Sequence, residues 1–507
     1  MLNSTIEVRF YSPPASHSEN EQKQLNDLLS QHPKNRNYIS FSEYQKRFSI
    51  PKDEVNNLLK FAAQKEIKAE FNPLKREVVL HATANLFQSI EDKRDSVTSE
   101  TLNVLNNLGD LTFDTTKAIP ETEVDSDTKK PHRGFIKQHF EQRPTSSKID
   151  KTISATTSYS PLDFIQAYNF PEGDGKGQTI GLIELGGTFT HQDMTQFFQG
   201  LGLEVPTIEV VGAPSKVPAN ENVEVTSDIQ IAGALAPKAK LVIYYGKSII
   251  EAVKTALSDT KNNPTILSIS WAGSEFNYSE TELQELNSAF YEAALRGITV
   301  IAASGDHGAY NGLQYPNVNV PTNNPFVLGC GGTTIQIQNG QLTQNRVWYE
   351  QVSNTMVGTG GGYSRRIPIP AYQQTASNLY LSRHPQYVGY NPTNGRAIPD
   401  IAANAAMASA YKIVFNGAWM PMGGTSLSTP LWAALIARLN QSLGYQLGFI
   451  NNLLYQLENS NAFIQAPQGN NGLYIAAYGW DPCTGLGSPN GKALLQAIQQ
   501  LETTTEE

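Results

Sequence analysis

Gly423-Gly424-Thr425-Ser426-Leu427-Ser428-Thr429-Pro430 runs directly into the apolar stretch Leu431 to Leu439. A Gly-Gly-Thr turn thus hands a serine to the first turn of a helix that reads as buried. Such a helix start presents free backbone N–H groups and the positive end of the helix dipole. A serine held there sits rigidly at the floor of a cleft, a common way to present a nucleophile. Taken alone, the octet also fits a plain N-cap serine.

A serine nucleophile needs a base, and the usual base is histidine. The chain has 8 His, none in a His-Gly-Thr setting, and His307 follows Gly305-Asp306 with no second His or orienting Asp in a recognisable pattern. Carboxylates offer the alternative. In Glu224-Val225-Thr226-Ser227-Asp228, helical spacing sets Glu224 and Asp228 one turn apart on the same face. On a solvated face the two would repel, at a cost on the order of a few tenths of a kcal/mol. Here Ile229, Ile231, Ala232, Ala234 and Leu235 follow, so the helix reads as buried and the two carboxyls as a coupled pair. A third carboxylate ends the run Ile298 to Ala303, which reads as a short buried strand closed by Ser304-Gly305. Asp306 then lies at a strand's carboxyl end, where open α/β sheets place their ligand crevices, rather than serving as a turn former.

These pieces, in this order, resemble the sedolisins, the serine-carboxyl peptidases, and within them the kumamolisin-type proenzymes. The resemblance extends through Ser158-Tyr-Ser-Pro-Leu-Asp163, Phe170-Pro-Glu-Gly173, Ile183-Glu-Leu-Gly-Gly187, Ala234-Leu-Ala-Pro-Lys-Ala239 and Ser268-Ile-Ser-Trp271. It continues through Cys330-Gly-Gly-Thr333, Arg396-Ala-Ile-Pro-Asp400 and Gly479-Trp-Asp-Pro-Cys-Thr-Gly-Leu-Gly487. It implies Ser426 as nucleophile, Glu224 as its general base and acid, Asp228 as the group orienting Glu224, and Asp306 as the oxyanion partner. Glu184 matches a position that hydrogen-bonds toward the carboxyl pair, and Trp271 one that flanks the site.

The chemistry of such a set follows from residue type. Proton transfer by a positioned group is worth ~10²–10⁴ in rate. Carboxyls titrate near pH ~4, and a close pair shares its protons. Asp306 stabilises an oxyanion only while it carries a proton to donate. All three requirements are met in acid and fail near neutrality, so an acidic optimum is expected.

The same resemblance implies a calcium ion near the C-terminus, held by two Asp side chains and nearby backbone carbonyls. Asp481, the Gly479 carbonyl and Ala466 are in place, but Gln465 stands where the second Asp belongs. Calcium takes about 6–8 oxygen ligands and its affinity follows their charge, so binding should weaken, with the Gln465 carbonyl still able to ligate. Asn319 also stands where the kumamolisin-type subsite is acidic, so side-chain preference does not transfer.

At 507 residues the chain should hold two domains. Residues 1–95 read as a compact mixed α/β unit, with strands at Thr5 to Tyr11 and Arg76 to His81, helices at Ser42 to Phe48 and Lys52 to Lys65, and a further helix entered from Thr83 to Ser89. By resemblance this is an activation prodomain that assists folding and blocks the cleft. Residues 96–157 are rich in Ser, Thr, Asp, Lys and Pro and read as an exposed linker, with maturation expected between about Phe140 and Ser158. Residues 158–507 form the catalytic domain. Strands at Ile180 to Leu185, Lys240 to Tyr245, Thr265 to Ser270 and Ile298 to Ala303 alternate with helices, one opened by a Ser279–Glu282 capping box and closed by Gly297. Such alternation means a parallel sheet covered on both faces, and the resemblance makes it a subtilisin-like α/β fold preceded by a smaller α+β prodomain.

Net charge is −9 with 17% charged residues, which argues against a nucleic-acid partner. No apolar stretch reaches the ~18 residues of a membrane span. Two cysteines, Cys330 and Cys483, make no disulfide framework and are expected as free buried thiols. Met1 to Val8 lacks a basic and an apolar region, so no secretory signal is evident. Most of the family works in acid outside the cell, so a secreted or acidic extracellular location is expected by another route. The expected molecule is a monomeric acid endopeptidase acting on peptides or proteins, with its own prodomain as inhibitor. Two alternatives are a tripeptidyl-peptidase of the same family and a catalytically degenerate member acting as a binding protein.

Overall fold

The computed structural model describes residues 5–11, 19–48, 52–64, 67–72, 77–83, 132–133, 157–215 and 222–504. The helix expected beyond Thr83 and nearly all of the 96–157 linker, including the maturation segment up to residue 156, lie outside them.

The N-terminal unit contains β1 (Thr5–Tyr11), α1 (Glu19–Ser30), α2 (Phe41–Phe48), α3 (Lys52–Gln64), β2 (Lys68–Asn72) and β3 (Glu77–Thr83). Its strands form an antiparallel sheet in the order β1-β3-β2. One short strand of the linker is described, β4 (His132–Arg133).

The catalytic unit is built on a parallel sheet. Its strands are β5 (Thr179–Glu184), β6 (Ile208–Val211), β7 (Lys240–Tyr245), β8 (Ile266–Ile269), β10 (Thr299–Ala303), β12 (Leu328–Gln338) and β14 (Ile401–Asn404). β9 (Trp271–Ser274) follows β8 directly and pairs with β11 (Asn319–Val320). The order across the main sheet is β13-β12-β10-β8-β5-β7-β6, with β14 also paired to β12. Only β13 (Gln341–Val347) runs antiparallel to its neighbour. The four strands expected from the sequence are all here, shifted only at their ends.

Successive side chains of a strand point to opposite faces, and both faces are apolar. In β7, Leu241 and Ile243 join the core beneath α4 (Val223–Leu235) and α7 (Thr425–Leu443). Val242 and Tyr244 join the core beneath α5 (Ile249–Ser258) and α6 (Glu280–Leu295). Every residue of α4 is buried, including the polar face that carries Glu224 and Asp228. The Ser279 capping box closes as expected, with Ser279 N–H donating to Glu282 at 2.7 Å and Glu282 N–H to Ser279 Oγ at 3.2 Å. Past the helix end, Gly297 takes φ +73, a conformation that costs glycine little.

The two units share a small core in which Leu25, Leu29 and Tyr44 pack on Tyr291, Ala294, Leu295 and Phe449. Arg36 donates to the carbonyls of Leu447 and Phe449, and Tyr38 Oη donates to Leu447 at 2.9 Å. The Tyr38 ring fills a notch that exists because Gly297 and Gly448 lack side chains, since a Cβ on either would lie 2.6 or 2.4 Å from Tyr38 atoms. Cys330 and Cys483 are buried and free. No helix among the described residues is long and apolar enough to cross a membrane.

Candidate active site

The sheet delivers its functional groups at the carboxyl ends of neighbouring strands, where parallel sheets open their crevices. Glu184 ends β5, Ser270 and Trp271 follow β8, and Asp306 follows β10. Helix α4 brings Glu224 in its first turn and Asp228 one turn on. Helix α7 starts beside them with Thr425-Ser426, after Gly424 at φ +136 and a Gly423 packed so closely that a Cβ would lie 2.7 Å from the Ala405 carbonyl. Thus Ser426, Glu224, Asp228, Asp306, Glu184 and Trp271 all come to one place, and the five carboxyl and hydroxyl residues among them are 0% exposed.

Trp271 Nε1 donates to Glu184 Oε2 at 2.9 Å. Burial pushes the Asp228 carboxyl well above its ordinary range, and the charges of Glu184 and Glu224 push it further against one opposing hydrogen bond from Ser270. Burial likewise raises Asp306, against two donors from Thr425 and with help from Glu224. Both Thr425 donors, its N–H and its hydroxyl at 2.8 Å each, go to the same oxygen, Asp306 Oδ1. Asp306 Oδ2 and Ser426 Oγ are buried with no hydrogen-bond partner among the described residues.

Two residues of this site were not singled out from the sequence. Thr425 is one. Ser270 is the other: its Oγ lies 2.7 Å from Asp228 Oδ2 and 3.1 Å from the Ser426 carbonyl. The second contact has a cause in α7. Pro430 stands inside that helix, and proline has no N–H to give to the carbonyl four residues back. That carbonyl belongs to Ser426, and the Ser270 hydroxyl occupies the donor's place. Both residues lie within motifs quoted above; only the fold shows what they touch.

Asn319 is buried beneath the loop that carries Asp306. Its amide donates to the Ser304 carbonyl at 2.9 Å and accepts from Asn311. It packs so close to Gly305 that a Cβ there would lie 2.1 Å from Nδ2. Strand β9 is flanked by β11 and by β4, where His132 and Arg133 pair antiparallel with Ala272 and Trp271. The four expected calcium residues, Asp481, Gly479, Gln465 and Ala466, lie in the irregular segments after the Phe463–Ile464 strand.

The subtilase family model matches residues 215–471 of this chain. Kumamolisin from Bacillus sp. (strain MN-32) is 41% identical over 388 residues, spanning 72% of this chain and 69% of that protein. Tripeptidyl-peptidase 1 from Homo sapiens is 27% identical over 412 residues, spanning 73% and 70%. Among solved structures, a Pseudomonas sedolisin (serine-carboxyl proteinase) complexed with two molecules of pseudo-iodotyrostatin matches with a TM-score of 0.61 at 26% identity, covering 68% of this chain and 99% of that one. A parallel sheet covered on both faces, a buried serine opening a helix and this degree of identity have one common explanation: the chain belongs to the sedolisins, the subtilisin-like serine-carboxyl peptidases, and is a kumamolisin-like serine peptidase.

Proposed function

We propose that this chain is an acid-active endopeptidase made as a self-processing proenzyme, hydrolysing peptide bonds through an acyl-enzyme on Ser426. The observation that carries this reading is the buried set of carboxyls, Glu184, Glu224 and Asp228, gathered at the start of the Ser426 helix. Glu224 takes the Ser426 proton and later returns it to the leaving amine. Asp228 orients Glu224 and shares its proton, and Glu184, held by Trp271, extends the set.

Asp306 acts as the oxyanion donor. With both Thr425 donors on Oδ1, its proton belongs on Oδ2, the oxygen left to meet a developing oxyanion. Its raised pKa keeps that proton in place through acid and releases it as pH rises. Ser270 is a positioning residue. A hydroxyl has one hydrogen, and a carbonyl can only accept. While Asp228 is protonated it donates to Ser270, which donates to the Ser426 carbonyl. Once Asp228 ionises, Ser270 turns to the carboxylate and releases that carbonyl.

Two further observations favour an endopeptidase under self-control. The chain's own His132–Arg133 lies along the edge of β9 as an added strand, the way extended peptides bind. That segment is internal, so the cleft edge accepts chain that continues in the amino-terminal direction. The N-terminal unit, anchored on α6 and the Leu447–Phe449 loop, acts as the intramolecular inhibitor. In this reading the enzyme is a monomer with residues 1–95 as prodomain, working on peptides or proteins in an acidic extracellular setting.

The test is self-processing. The full chain is purified at neutral pH, shifted to about pH 4, and followed by mass beside Ser426→Ala. Wild type should shed its N-terminal part while the variant stays whole. If both remain intact and folded, the binding-protein alternative takes precedence. Peptides with blocked and free N-termini then separate endopeptidase from tripeptidyl-peptidase action.

A further inference from the structure

Gln465 follows a short strand, Phe463–Ile464, paired with Ser488–Pro489, and lies among the residues expected to hold calcium. The hydrogen bonds there do not fit the ion. Gln465 Oε1, the atom that would ligate, accepts the Gly479 N–H at 3.0 Å. Gln465 Nε2 donates to the Leu486 carbonyl at 2.8 Å. Both ends of that amide are thus engaged by the protein's own backbone.

Asp481 is equally engaged. Its Oδ1 accepts the N–H groups of Cys483 at 2.8 Å and Thr484 at 2.9 Å, and its Oδ2 accepts that of Ala477 at 3.0 Å. The Thr484 hydroxyl lies 3.3 Å from both oxygens. The backbone carbonyls of Ile464 and Gln465 receive the Asn345 amide at 3.0 and 3.4 Å. Glu458 accepts the Trp480 N–H at 2.9 Å. Calcium takes about 6–8 oxygens, typically with several formal charges. Here the one expected carboxylate is already engaged by several protein donors. No three His, Cys, Asp or Glu side chains converge on a metal position among the described residues.

We infer that the Gln465 amide does in this protein what a cation would do in its place. One side chain, accepting from Gly479 and donating to Leu486, clasps three segments: the end of the 463–464 strand, the turn before Trp480, and the chain entering the 488–489 strand. An amide accepts and donates at once, so it joins an N–H to a carbonyl that would otherwise both need partners. It does not ionise, so the clasp is the same in acid as at neutral pH. The consequence is a peptidase whose folding does not respond to calcium. This inference concerns the C-terminal loops and stands or falls independently of the catalytic reading.

The experiment uses the full chain carrying Ser426→Ala, so that self-cleavage cannot move the transition, with calcium chloride and a chelator as probes. Thermal unfolding should give the same Tm in either, and elemental analysis after desalting should find no stoichiometric calcium. Adding Gln465→Ala should lower Tm equally with and without calcium. Adding Gln465→Asp should lower Tm in chelator and recover it in calcium, because the second carboxylate is then present. A Tm of the parent chain that rises by several degrees with calcium overturns the inference. So does one equivalent of retained calcium that Asp481→Asn loses. An unchanged Tm in Gln465→Ala removes the clasp. Should Gln465→Asp fail to fold, the parent chain and Gln465→Ala still decide.

Discussion

Ser270 shows how much one hydroxyl can carry. It touches Asp228 and the carbonyl of Ser426 at once, linking the carboxyl cluster to the backbone of the proposed nucleophile. A hydrogen bond between neutral groups, as when Asp228 is protonated, is worth about 0.5–1.5 kcal/mol, and each ~1.4 kcal/mol of transition-state stabilisation is about tenfold in rate. Ser270→Ala is therefore expected to lower kcat by about two- to tenfold, with KM little changed. The Ser270 hydrogen bond holds the Asp228 pKa down against burial and the neighbouring charges, so its loss should move the carboxyl-controlled limb of the pH profile upward. Ser270→Thr, which keeps the hydroxyl, should recover both. An alanine variant with normal kcat and an unmoved profile would mean the contact is only structural.

At the scale of elements, the docking of α1 and α2 on α6 is accompanied by Arg36 and Tyr38 bonds to the 447–449 loop. Arg and Tyr anchors in pockets dominate interfaces of this kind, often at ~2 kcal/mol or more each. Tyr38 has that character, with its ring in the Gly297–Gly448 notch and its hydroxyl on the Leu447 carbonyl. Tyr38→Ala is expected to loosen the N-terminal unit and let self-processing start at higher pH than in the wild type. The cleavage rate across a pH series measures this, and identical onset in both proteins would sink the idea. Elements also show where reading the sequence ran short. Strands β5, β7, β8 and β10 are legible as apolar runs between turn signals. Helix α1 is not, because Glu19 to Ser30 is mostly Gln, Asn, Glu, Lys and Asp, and its few leucines gain meaning only against α6.

For the molecule as a whole, buried carboxyls tie folding to pH. Asp228 and Asp306 hold their protons in the folded state well above the ~3.9 of an unfolded Asp. Over that interval the folded chain binds more protons than the unfolded one, so the stability these groups contribute is full below about pH 4 and is lost as pH rises through their folded values. In the Ser426→Ala background, Tm is expected to fall from about pH 4 toward pH 8, and adding Asp306→Asn should make that fall shallower. Equal slopes would rule out Asp306 as a group that stays protonated in the fold. The direction matches an enzyme that is most stable where it is proposed to work.

The sequence by itself determined the alternation of strands and helices, the serine at a glycine-led helix start, and the carboxyl pair one helical turn apart. Each is a local property, set by side-chain periodicity and backbone freedom over a few residues. Tertiary structure alone decided that Ser270 replaces the donor Pro430 cannot supply, and that Thr425 claims one oxygen of Asp306. It alone decided that Asn319 braces a loop instead of leaving its amide to the cleft, and that Gln465 joins Gly479 to Leu486. These contacts link residues up to 156 positions apart, and their energies depend on burial and on which partner's donor is already taken. No window of sequence contains that information, because a hydrogen bond is specified by both ends and by the absence of water between them.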